Sequence, residues 1–528
     1  MRYFLNISIA LLLFTGSVQQ TFAKDTARRK TYDWTLIYHM SYDNDLDKVR
    51  TFILGELKKG VAASTDSIAV TVLVDSLTTD KLTQIAITQD GLPHETQLDH
   101  DNSASEEALE KYLVWAQKKY PARKYAIIFL NHGGALDDMS FDQNPGPFIS
   151  KKWLSAKKTG PLLREFRKSV QADGSQVELV FLQQCGRGSI ENLYNFHETG
   201  VAVMASQHNV GAPNTYYAAT LGWLNPKASG FDLASKVMDE DKHFTSYVVV
   251  YGQALTELPE KIDSLISSLG KLERIEQPKK LEPTFVTNPT FLWESETNYD
   301  LLQWLAKVAQ SSEVKKSATA EYEEFKKWIE KTLIKESRFE LAHLEQNHNL
   351  SGISLFVPEW SKVREKYLDY PLYRESSLDD LMKALFPPVE ELTDEERNQK
   401  VQEIQANLKE NPSQTVEQLS KEIQTLINQG FLPSSWLDVR ALRPNRTPLL
   451  LMRDKLMVFE TVSILRLITL QKNYSSTPAG TYLKQWLDQL FDTYVPRFKA
   501  ANIQEDSDFD RAIVILTNLE EIYRLKKK

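Results

Sequence analysis

The apolar positions of this chain alternate between two rhythms. Trp34 to Met40, Ser67 to Asp75, Lys124 to Leu130, Val177 to Gln183 and Val201 to Ser206 are short, nearly unbroken apolar or β-branched runs. Such runs suit strands buried on both faces of a sheet. Between them, Asp45 to Lys59, Ser105 to Tyr120 and Thr159 to Val170 carry helical spacing, and Pro121 stops the second. Thr83 to Thr88 alternates weakly, as an edge or hairpin strand does. Strands alternating with helices predict an α/β fold with a largely parallel sheet. Ligand chemistry in such sheets sits at the carboxyl ends of the strands.

After about residue 230 the pattern turns mainly helical, with one further strand at Gly352 to Val357. Pro387-Pro388 and the charged run behind it mark a boundary. Beyond it, Val401, Ile404 and Leu408, then Leu419, Ile423 and Leu426, recur at helical spacing. The expected organisation is a segment 1–23, a domain over 24–388 and a helical C-terminal region over 389–528. The domain has an α/β core at about 30–230 and a mixed extension at 231–388. The C-terminal helices are expected to pack on their own domain, and any partner for them is unknown.

Residues 1–23 read as a secretory signal. Arg2 gives a positive start, Ile7 to Phe14 a short apolar run, and Thr21-Phe22-Ala23 the small residues of a cleavage site after Ala23. That run is far shorter than the roughly 20 residues of a membrane span. The most apolar later stretch, Leu449 to Leu470, holds five charged residues, so no integral membrane segment is expected.

Composition narrows the picture further. Among 528 residues, 42% are hydrophobic and 25% charged, which excludes a disordered or collagen-like chain. The net charge of −8 makes nucleic acid an unsuitable partner. The single cysteine, Cys185, rules out an intrachain disulfide and any cysteine-rich metal site. In an exported protein, an unpaired cysteine is either inert or used for chemistry.

Two strand ends carry the candidate chemistry. The run Lys124 to Leu130 leads into Asn131-His132-Gly133-Gly134, and Val177 to Gln183 leads into Gln184-Cys185-Gly186-Arg187-Gly188. Taken alone, His132 reads as a capping or core histidine and Cys185 as a packed thiol. Adjacent parallel strands would place them on one rim, as a cysteine nucleophile needs of its proton-transfer partner. The N–H groups of Gly133 and Cys185 could then form an oxyanion hole. A helix from Ser189 onward would favour the thiolate.

Other constellations are discounted. Asp43, Asp45 and Asp47 have D-x-D-x-D spacing, but Lys48 and Leu54 stand where a calcium loop needs Gly and Glu. They read as turn and capping residues. Asp137-Asp138 reads as a solvated loop pair, and His197 and His208 as structural. No phosphate-cradling loop is present.

With these residues in view, the chain resembles the clostripain-like cysteine peptidases of the caspase–gingipain–legumain clan. Gln183, Cys185 and Gly186 fit the caspase signature, with a histidine 53 positions upstream; Gln184 and Arg187 do not fit it. Trp34 to Asp47 resembles the family's opening strand and Asp-Asn-rich turn. Ser140-Phe141-Asp142 and the helix through Leu162–Phe166 resemble the segment between histidine and cysteine. Ser246 to Leu272 resembles the helices after the core, and Asn349 to Tyr370 the late strand. The resemblance covers roughly residues 30 to 386.

The resemblance implies a caspase-like α/β/α sandwich and an exported cysteine endopeptidase acting on peptide or protein substrates. Cys185 would be the nucleophile and His132 the general acid, with no third orienting residue required. No cofactor is implied; calcium is used by some relatives, but no ligand set is readable. Family members carry an acidic residue two positions before the cysteine, and Ser-Glu after the fifth strand. Here those positions are Gln183 and Ser206-Gln207. The substrate-binding candidates are therefore Gln183, Ser206 and Gln207, and cleavage after Arg or Lys is not expected. Arg187 is a candidate positive charge for an acidic P1. Lys151, Lys152, Lys157 and Lys158 lie where relatives cut themselves, and the changed pocket argues against that too. The rival reading is a secreted binding or scaffold protein that keeps the fold without turnover.

Overall fold

The computed structural model describes residues 30–386, except 80, 90–93, 99–101, 146–151, 243–245, 276–277, 279–280, 282, 287–295, 313, 340–349, 359–363. It also describes residues 484, 487–488 and 491–492. The expected signal segment 1–23 lies outside the described residues, as does nearly all of 389–528.

The elements follow the two rhythms of the sequence. They begin with β1 (Tyr32–Tyr42), α1 (Asp47–Ala63), β2 (Ile68–Ser76), β3 (Thr83–Thr88), β4 (His94–Gln97), α2 (Glu106–Lys119) and β5 (Ala122–Leu130). Then come β6 (Asp138–Phe141), β7 (Trp153–Ser155), α3 (Ala156–Ala172), β8 (Gln176–Gln183), α4 (Ile190–Asn195) and β9 (Ala202–Ala205). Next are α5 (Tyr217–Trp223), α6 (Gly230–Glu240), β10 (Ser246–Tyr251), α7 (Leu258–Ser268), β11 (Phe285–Val286) and β12 (Thr297–Asp300). The series closes with α8 (Leu301–Ser311), α9 (Lys315–Trp328), β13 (Ile334–Phe339), β14 (Ser354–Val357), α10 (Pro371–Glu375) and α11 (Leu378–Leu385).

The main sheet runs β13-β10-β9-β8-β5-β1-β2-β3-β4. Its five central strands are parallel, and the outer ones on both sides are antiparallel. Successive strand residues feed opposite faces. Ile37, Ile127, Phe129, Val180 and Leu182 pack with α2, α3 and α7. Leu36, Tyr38, Met40, Ile128, Leu130 and Phe181 pack with α1, α5 and α6. The result is an α/β/α sandwich with one core on each side of the sheet.

Local rules account for the element ends near the site. Ser105 caps α2 by accepting from the Ala108 N–H, and Glu106 and Glu107 face the positive end of that helix. Ser155 caps α3 through the Lys158 N–H. One expectation needs correction. Ser246 to Tyr251 is a strand rather than part of a helix, because its run of three valines between tyrosines fits an antiparallel place beside β9. The further strand expected at Gly352 to Val357 is present as Ser354–Val357, pairing with β12 in a separate three-stranded sheet.

Candidate active site

Strand register brings the two expected loops together. β5 and β8 are parallel neighbours, with Leu130 opposite Gln183. His132 and Cys185 each follow two residues later, so they leave the same rim at the same level. The backbones nearly touch there: a Cβ built on Gly133 would lie 2.1 Å from the Cys185 carbonyl oxygen. Only glycine allows that approach. Gly186 makes the next turn with φ +65, and a Cβ there would collide with the Phe285 ring at 2.2 Å.

The His132 ring is fixed by Asp45, with Nε2 2.6 Å from Oδ1. The pair is open to water, with the aspartate side chain 69% and the histidine side chain 36% exposed. The hydrogen bond to His132 holds the Asp45 carboxyl below the usual carboxylate range. Asp45 reaches this place because the turn after β1 is tied to its neighbours. Asn44 Nδ2 donates to the carbonyls of Ser41 and Phe141 and to Asn131 Oδ1, at 3.1, 2.8 and 3.2 Å. Asn131 Oδ1 also accepts from the His132 N–H at 2.5 Å. Asp45 thus corrects the reading of the D-x-D-x-D run as turn and capping residues, and it holds the histidine ring although no third orienting residue is expected to be required. Asp47 does play the expected local part, pairing with Arg50 at 2.7 Å in the first turn of α1.

Cys185 is half-buried. Its Sγ accepts from the Val210 N–H at 3.3 Å and is 3.4 Å from the Val210 carbonyl. Burial pushes the thiol up, against the pull of the Val210 amide, the Arg187 charge and the Gly133 N–H. The helix expected to favour the thiolate is α4. The helix has six residues and starts five positions past the sulfur, beyond a turn.

The three substrate-binding candidates have different surroundings. Gln183 is buried, and both ends of its amide are engaged. Tyr216 donates to Oε1 at 2.5 Å, while Nε2 donates to Tyr217 at 3.2 Å and to Asn214 Oδ1. Asn214 in turn donates to Asp241 at 2.6 Å. Substrate contact through Gln183 would require breaking this network. Ser206 Oγ accepts from the His208 N–H at 3.0 Å, and its carbonyl from the Gly188 N–H at 2.7 Å. Gln207 is 1% exposed, and neither end of its amide has a hydrogen-bond partner among the described residues.

Arg187 does not face a substrate pocket. It is 1% exposed, and its guanidinium donates to main-chain carbonyls. Asp137 is not a solvated loop residue either: it accepts from Ser155 Oγ at 2.6 Å and the Lys157 N–H at 2.7 Å, at the start of α3. Burial pushes the Asp137 and Asp138 carboxyls up. Lys157 and Lys158 lie in the first turn of α3, where the backbone is helical and unsuited to an extended cleavage site. His197 and His208 bond backbone carbonyls of Tyr194 and Thr284, as structural histidines do.

Among the described residues, one trio of metal-ligand types has its atoms within 4.8 Å of one another: Asp43, Asp75 and Asp142. An all-oxygen set suits calcium in donor type. Burial, however, pushes the Asp75 and Asp142 carboxyls up. Ser103 donates to Asp75 at 2.5 Å and its N–H to Asp142 at 2.9 Å, while Asn144 donates twice to Asp43. Each of the three carboxyls thus already receives a hydrogen bond from Ser103 or Asn144. Among the described residues, no helix is long and apolar enough to cross a membrane.

An inactive zymogen C11 protease from Parabacteroides distasonis is 17% identical and superposes with a TM-score of 0.48, over 66% of this chain and 98% of its own. A secreted C11 cysteine protease from Bacteroides thetaiotaomicron, in complex with an irreversible peptide inhibitor, is 15% identical with a TM-score of 0.47, over 65% and 99%. No curated protein matches the chain by sequence. The sequence profile of the clostripain family, by contrast, matches residues 38–384, well over half the chain. This protein therefore belongs to the clostripain family of cysteine peptidases, which are hydrolases.

Proposed function

We propose that this chain is an exported cysteine endopeptidase in which Cys185 attacks the scissile carbonyl and His132 carries the proton. The observation that supports it most is the register of β5 and β8, which sets both loops at one level of the rim. In this reading the Cys185 thiol starts protonated, since burial pushes it up. Its proton passes to the imidazole as sulfur bonds to the carbonyl carbon. The N–H groups of Gly133 and Cys185 receive the developing oxyanion. The imidazolium then protonates the leaving amine, and water hydrolyses the thioester. Asp45 holds the ring in place throughout.

Selectivity is the finer part of the proposal. Position 207, where relatives carry a carboxylate, is a neutral amide, while Gln183 is held in its own hydrogen-bond network and offers no charge. A P1 guanidinium or ammonium buried there without a countercharge would lose several kcal/mol. We therefore expect a P1 other than Arg or Lys. Export rests on the pattern of residues 1–23 and predicts a mature N-terminus at Lys24, to be read by sequencing the secreted protein.

One observation favours a second reading, a secreted binding protein that no longer turns over: Sγ is engaged by Val210 on both its N–H and carbonyl sides. Labelling the mature protein with acyloxymethyl ketone peptides spanning all P1 types, with Cys185→Ala as control, separates the two. Cys185-dependent labelling supports the peptidase. Its absence with every P1 supports the binding protein, and preferential labelling by Arg or Lys probes refutes the selectivity argument.

A further inference from the structure

Arg187 is buried two residues past the cysteine, yet it makes no close ion pair among the described residues. A guanidinium in such a place is costly unless its N–H groups are occupied. Here its partners are four main-chain carbonyls. Nε donates to Cys185 at 3.2 Å, Nη1 to Leu136 at 3.0 Å, and Nη2 to Gly134 at 2.7 Å and Ala135 at 3.0 Å. Asp137 and Asp138, at the end of the same loop, supply the countercharge at longer range.

Three of those carbonyls follow His132 closely in the chain, and the fourth belongs to Cys185. One rigid fork therefore spans the two loops that carry the proposed dyad. It also lies 3.1 Å from the Cβ position of Gly133, the residue whose N–H approaches the sulfur. Lysine could not replace it, because a single ammonium on a flexible stem does not reach four diverging acceptors.

We propose that Arg187 is a positioning residue: its guanidinium pins the loop of His132 to the main chain of Cys185. The pin sets the spacing between imidazole, sulfur and the Gly133 and Cys185 N–H groups. It touches no reacting atom and acts through the Cys185 carbonyl and the 134–136 backbone. The proposal rests on the cysteine-peptidase reading for its kinetic consequence, though not for its structural one.

The test compares the full-length wild type with Arg187→Ala and Arg187→Lys. It measures the inactivation rate constant and the inhibitor affinity separately, using the acyloxymethyl ketone peptide that labels the wild type best. A displacement of about 1 Å at a reacting centre costs on the order of 100-fold. Both variants should lose about that factor in the rate constant, with affinity nearly unchanged. Guanidinium chloride, well below denaturing concentration, should accelerate Arg187→Ala without accelerating wild type. Hydrogen exchange should rise in residues 133–138 and 185–189 of both variants, while the sheet stays protected.

Wild-type labelling rates in Arg187→Ala, or absence of guanidinium rescue, would overturn the pin. So would failure of the charge-conserving Arg187→Lys to fold, since the guanidinium would then hold the fold rather than the site. If no probe labels the wild type, the peptidase reading fails by itself. Hydrogen exchange in the two loops then decides the pin alone, and unchanged exchange overturns it.

Discussion

Replacing Gly133 by alanine tests the rim geometry most directly. The added Cβ would sit 2.1 Å from the Cys185 carbonyl oxygen and 3.1 Å from Arg187 Nε. Real contacts of this kind begin above 3.0 Å, so the gap must open by about 1 Å. Neither neighbour can yield cheaply. One is backbone, and the other is a guanidinium held by four carbonyls. The strain is that of an overpacked core, about 1–3 kcal/mol. In a domain of this size that lowers Tm by roughly 2–6 °C. The effect on chemistry should be larger, because the displacement separates the loops of His132 and Cys185. A shift of about 1 Å there costs on the order of 100-fold in rate. The assay is the second-order rate of Cys185 labelling by an acyloxymethyl ketone peptide, alongside thermal unfolding followed by circular dichroism. Gly55→Ala is the control: nothing lies within 4 Å of its Cβ, and it sits inside α1. It should gain about 0.5–1 kcal/mol of stability with unchanged labelling. A Gly133→Ala protein that labels within about threefold of wild type, with the same Tm, would refute the close approach of the two loops.

Three other substitutions test separate links of the argument. Asp45→Ala removes a water-exposed pair, so stability should fall by less than about 1 kcal/mol, whereas labelling should drop about tenfold as the imidazole loses its orientation; equal labelling would remove Asp45 from the site. Burial pushes Glu191 from 4.5 up to about 8. Its neutral form is favoured in the fold, so its contribution is full below about pH 4.5 and is lost as pH rises through about 8. Tm measured by scanning fluorimetry should therefore decline from pH 5 to pH 9, and Glu191→Gln should flatten that decline; a parallel decline in the variant would discount Glu191 as its source. Gln183→Glu removes the donor that faces Asn214 and Tyr217 inside a closed network. It should cost about 1–3 kcal/mol in denaturant unfolding without creating labelling by Arg or Lys probes. New labelling by such probes would show that this position does line the pocket.

Much of the fold is legible in the sequence because it depends on local patterning. Short apolar runs such as Ile68–Val74 and Ala126–Leu130 fit strands buried on both faces, and Ser105 announces the helix that follows it. His132 and Cys185 can be paired from sequence because each closely follows a core strand, and adjacent parallel strands end on one rim. Ser246–Tyr251 is harder to place, because a short β-branched run among helical segments gives no sign of the partner it will find.

The roles of Asp45, Gln183 and Arg187 are not legible, for a different reason. Each depends on where a side chain points once segments distant in sequence have met. Asp45 sits in a run that reads as a turn, and it reaches His132 only because Asn44 and Asn131 tie two loops together. Arg187 reads as a charge for substrate until burial against four carbonyls gives it another task. Residue order alone determined the alternation of strands and helices, the lone thiol and the histidine before it, since these follow from periodicity and identity. Only tertiary structure decided which polar groups became neighbours, because hydrogen-bond partners are chosen by direction and distance, and neither is written in spacing along the chain.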